Sequence, residues 1–128
     1  MSNIDATSNQ VFVVLENKKS GLIGLKTNKF TEIKIDTKQE FIVEIIQNRN
    51  FVVIRSFDPD EEHEDFEIIK KKNEYCREKI CHHLHQRVDS MRIDDKTKRQ
   101  DMDKLVIIKK DIQYTYKLLS DGKCEYES

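Results

Sequence analysis

Between Gln10 and Phe57 the chain alternates short β-branched or aromatic runs with polar breaks. The runs VFVVL, LIGLK, FTEIKID, EFIVEII and NFVVIRSF are separated by ENKKSG, KTNK, DTKQ and QNRN, which is the pattern of a tight antiparallel meander. In FTEIKID, Ile33 and Ile35 point to one face while Glu32, Lys34 and Asp36 point to the other, so one sheet face there is wet. VFVVL and NFVVI lack that alternation and are expected to be the most enclosed. Because a short twisted meander closes on itself to protect its edges, residues 10–57 are expected to curl into a small five-stranded barrel or half-barrel.

Asp58-Pro59-Asp60-Glu61 changes the pattern. Asp58 is placed to cap free N–H groups, Pro59 suits a first helical position, and Glu61 sits where a capping box needs it. Seven acids between Asp58 and Glu67 would complement the positive end of a helix dipole. This predicts one long amphipathic helix over residues 58–91, about 50 Å if unbroken. Its buried stripe would be Phe66, Ile69, Asn73, Cys76, Ile80, Leu84 and Met91. Residues 92–104, RIDDKTKRQDMDK, read as a mobile charged connector. Residues 105–127 read as a terminal hairpin. The segment LVIIKKDIQYTYKLL alternates as a strand and also fits a helical face, and its aromatic and β-branched content favours the strand. Asp121-Gly122 is the expected turn and KCEYE the returning strand. The expected whole is a single α+β domain spanning residues 1–128.

Composition narrows the partners. With 23 basic and 24 acidic side chains in 128 residues, the net charge is −1, so the whole chain has no general attraction to phosphate. No apolar run approaches the roughly 20 residues that span a bilayer, and MSNIDATSNQ lacks the order of a signal peptide. Three cysteines, an odd number without framework spacing, suit a reducing compartment, so cytosol or nucleus is expected.

The stretch YCREKICHHLHQR raises the question of a metal. On a helix, Cys76 falls in the stripe while Cys81, His82 and His85 fall outside it, and one face offers at most the pair Cys81 and His85. Zinc needs about four converging ligands, so no metal and no cofactor is expected. The same pair lacks a pocket and an oxyanion donor, and three scattered glycines form no phosphate loop. The chain is therefore expected not to be an enzyme.

Two binding surfaces remain. Opposite the helix stripe lies a row spaced by seven, Ile68, Tyr75 and His82, suited to pairing with another protein or with a second copy. The principal expectation is thus a protein–protein interaction module or small complex subunit that presents this helix face or a strand edge. The alternative is a single-stranded nucleic-acid-binding barrel using Lys18, Lys19, Lys26 and Lys29 on neighbouring turns. Its weakness is strand order, because an oligonucleotide-binding barrel places its helix between the third and fourth strands.

Overall fold

A computed structural model describes residues 10–71, 77–81, 88–119 and 124–127, with only the backbone path of 77–81. Among the described residues there are eleven strands: β1 Gln10–Val14, β2 Ser20–Gly24, β3 Phe30–Glu32, β4 Ile42–Gln47, β5 Phe51–Asp58 and β6 His63–Lys70, then β7 Arg77–Cys81, β8 Ser90–Asp94, β9 Asp103–Lys109, β10 Ile112–Leu118 and β11 Cys124–Glu127. They form three antiparallel sheets: β1-β2-β3 (sheet A), β4-β5-β6-β7 (sheet B) and β11-β10-β9-β8 (sheet C). None closes into a barrel. Among the described residues the sole helical element is the 3-10 turn Gln39–Phe41.

Sheet B is the middle layer. On one face, Phe51, Val53, Phe66 and Ile68 pack with Met91, Leu105, Ile107, Tyr116 and Leu118 of sheet C. On the other, Val52, Ile54 and Ile69 pack with Phe12 and Leu22 of sheet A and with Ile33 just beyond it. A strand covered on both faces has no polar face to alternate with, which is why FVVI reads as an unbroken apolar run. Val52, Val53, Ile54, Phe66, Ile68 and Ile69 are all fully enclosed.

The α+β expectation is therefore overturned. Each of the five runs before Asp58 holds a strand, but three join sheet A and two join sheet B, so they make no single curled meander. The long helix over 58–91 is absent from the described part of that span, which contains β6, β7 and the start of β8. Its supposed stripe is split: Phe66 and Ile69 face opposite cores and Met91 belongs to sheet C, while Asn73, Cys76 and Leu84 lie outside the described residues.

The cause is local. Asp58 does act as a cap, its Oδ1 accepting from the Asp60 N–H at 2.9 Å, and the Glu62 N–H does reach the Asp58 carbonyl at 2.8 Å as in a helical turn. Glu62 then takes φ 55°, in the left-handed region, and the chain reverses into β6 with Asp58 opposite His63. The Gly24–Lys29 loop has the same construction: the Asn28 N–H bonds the Gly24 carbonyl at 2.8 Å, and Asn28 has φ 56°. One helical turn ended by a left-handed residue is a hairpin loop, and its first residues carry the same capping chemistry as a helix start.

Later boundaries move as well. The expected connector 92–104 gives its ends to β8 and β9. Between them the loop is fastened by Asp103, whose Oδ1 accepts from the Lys96 N–H at 2.7 Å, and by Gln100 Nε2, which donates to the Met102 carbonyl at 2.9 Å. The expected single strand from 105 is broken at Lys110-Asp111, where β9 turns into β10. β11 does return antiparallel along β10, with Leu118 opposite Cys124, whereas the expected Asp121-Gly122 turn lies outside the described residues.

Candidate functional site

Pleating sets the site. Phe12, Val14 and Leu22 face the core, so their neighbours Val11, Val13 and Ile23 face away from it. Register aligns them: Val11 lies opposite Ile23, and Ile23 opposite Phe30, forming one apolar row across all three strands. The adjacent row is Val13, Gly21 and Glu32. Leu15 and Leu25 continue the same parity past the strand ends, at 38% and 60% exposure. The outer face of sheet A thus presents Val11, Val13, Leu15, Ile23, Leu25 and Phe30, with the exposed Glu32 at one edge.

Gly21 holds this face flat. A Cβ there would come within 2.9 Å of both Phe30 Cζ and the Glu32 Cα, and would collide with the Thr31 carbonyl. The Phe30 ring lies over the glycine instead of standing away from the sheet.

The outer face of sheet C is built on the opposite plan. By register it carries Arg92, Asp94, Lys104, Gln113, Thr115, Lys117, Glu125 and Glu127, with Lys104, Lys117 and Glu125 side by side. Arg92 Nε bonds Asp94 Oδ1 at 2.9 Å, and Lys104 Nζ bonds Glu127 Oε1 at 2.8 Å. The Lys104 bond holds the Glu127 carboxyl below its ordinary pKa. Its apolar members, Val106 and Ile108, are 1% exposed and half-buried respectively. Sheet C carries a solvated outer face, and sheet A does not.

Two of the strand edges are blunted, those of β1 and β4. Along β1, Gln47 of sheet B accepts from the Phe12 N–H at 2.8 Å and donates to the Phe12 carbonyl at 3.2 Å, occupying the place of a neighbouring strand. Lys71 Nζ donates to the Gln10 carbonyl at 2.8 Å. On β4, the register shifts between Ile42 and Glu44, leaving Val43 exposed on a bulge. Bulges and side-chain caps are how natural sheets discourage strand addition.

Of the residues expected to form a partner row, Ile68 is completely buried in the core between sheets B and C, because the helix that would have exposed it does not form. Tyr75 and His82 lie outside the described residues. The four lysines do not gather into one patch. Lys18 and Lys19 occupy the β1–β2 turn, whereas Lys26 and Lys29 occupy the β2–β3 turn, at opposite ends of a five-residue strand and so roughly 17 Å apart. Lys18 instead lines an open groove of about 750 Å³ with Lys34, Lys38, Glu32 and Glu40, walled by Gln39, whose Nε2 donates to the Lys18 carbonyl at 2.7 Å.

The deeply buried charges are internal fasteners. Arg55 donates Nε to Glu64 Oε2 at 2.7 Å, Nη2 to Glu64 Oε1 at 3.1 Å and to the Val88 carbonyl at 2.7 Å, and Nη1 to Glu44 at 3.3 Å. Glu67 accepts from the Asp36 N–H, the Thr37 N–H and the Thr37 hydroxyl, fixing the segment after β3 to sheet B. Among the described residues no group of three His, Cys, Asp or Glu converges as a metal site, and the Cys/His stretch lies largely outside them.

The apolar outer face was partly visible in the sequence. VFVV, SGLIGL and Phe30 lack polar alternation, but sequence alone does not say which of two apolar faces is covered. No known protein family, curated relative or solved structure matches the chain. No helix among the described residues is long and apolar enough to cross a membrane.

Proposed function

We propose that this chain is a non-catalytic protein–protein interaction module that docks its partner on the outer face of sheet A. One observation carries the reading: of the two outward sheet faces, one is charged and the other presents Val11, Val13, Leu15, Ile23, Leu25 and Phe30 beside the single carboxylate of Glu32. A contiguous apolar patch on a small domain marks a surface that is covered in use. With β1 capped and β4 bulged, strand addition is opposed at those two edges, and the apolar face is the surface that this reading assigns to the partner. The odd cysteine count suits a reducing compartment, the cytosol or nucleus.

The test compares charged substitutions on the two faces. Phe30→Glu and Val13→Asp place a carboxylate on the apolar face, and Thr115→Glu does so on the charged one. All three are expected to unfold cooperatively near the wild-type midpoint, because none of these side chains is enclosed. In affinity capture from cell extract, Phe30→Glu and Val13→Asp should lose a partner that Thr115→Glu retains. Retention of the same partners by all three folded variants would refute the reading.

A further inference from the structure

We draw no further inference here: the strongest candidate, the apolar outer face of sheet A, belongs to the docking surface already proposed, and nothing in the structure shows what covers it.

Discussion

Lys71 is enclosed at the end of β6 with its ammonium directed to one backbone carbonyl, that of Gln10, and burial lowers its pKa from 10.5 to about 8. The sign follows from linkage: the unfolded chain holds this proton more tightly, so folding becomes more favourable as pH rises from about 8 towards 10.5. Below that window the folded state carries a charging cost of about 3 kcal/mol. Lys71→Met removes the cost together with one hydrogen bond. Urea unfolding at pH 7 should therefore find it about 1–2 kcal/mol more stable than wild type, and the advantage should disappear by pH 10.5. An advantage that persists at high pH would mean that packing, not desolvation, is responsible. Arg55 behaves in the opposite sense, because its hydrogen bond to Glu64 raises its pKa, so it stays charged throughout. Glu64→Ala strands that guanidinium in the interior and should cost about 3–5 kcal/mol, whereas Arg55→Met with Glu64→Leu should recover most of the loss. Neither residue was legible as a core member in the sequence. HEDFE reads as a solvated acidic run until the partner of Glu64 is known.

At the scale of elements, the loops decide what each segment becomes. Lys110 and Asp111 join β9 to β10 with φ of 49° and 66°, the paired left-handed geometry of a two-residue hairpin that Asn-Gly favours. Neither residue announces it, so LVIIKKDIQYTYKLL reads as one strand that carries Lys109, Lys110 and Asp111 in its middle. Lys110→Asn with Asp111→Gly should relieve the strain and stabilise the fold by about 1 kcal/mol, as measured by the denaturant midpoint. An unchanged or lower midpoint would show that other contacts of these residues outweigh the relief; the Lys110 N–H is already held by Asp89 Oδ2 at 2.9 Å. The short β runs before Asp58 were readable because β-branched content and polar breaks are local signals. Their division between two sheets was not, since it depends on Val52, Ile54 and Ile69 meeting Phe12 and Leu22 across the fold. The misread helix has the same origin. The turn at Asp58 and a helix start satisfy the same N–H groups, and they part only at Glu62, where left-handed φ is set by the return of β6 against β5.

For the whole molecule, three layers share one central sheet, and that arrangement makes a claim about cooperativity. Sheet B contributes side chains to both cores, so loosening either core removes support from the same strands. Three of the four tyrosines, Tyr114, Tyr116 and Tyr126, sit in sheet C, and there is no tryptophan, so tyrosine fluorescence reports mainly on that layer. Leu22→Ala creates a void on the far side, between sheets A and B, and should cost about 2–5 kcal/mol. If the layers unfold together, far-ultraviolet circular dichroism and tyrosine fluorescence must shift to one common lower midpoint, although no tyrosine of sheet C touches Leu22's core. A fluorescence midpoint left at the wild-type value while the dichroism transition splits would mean that sheet A comes away alone. The docking proposal needs the cooperative outcome. A face that is to hold a partner by a few aliphatic side chains must be presented by strands that stay fixed, and among the described residues sheet A has no second layer outside it. Its rigidity comes from Phe12 and Leu22 in the shared core and from the Gln47 and Lys71 bonds along β1.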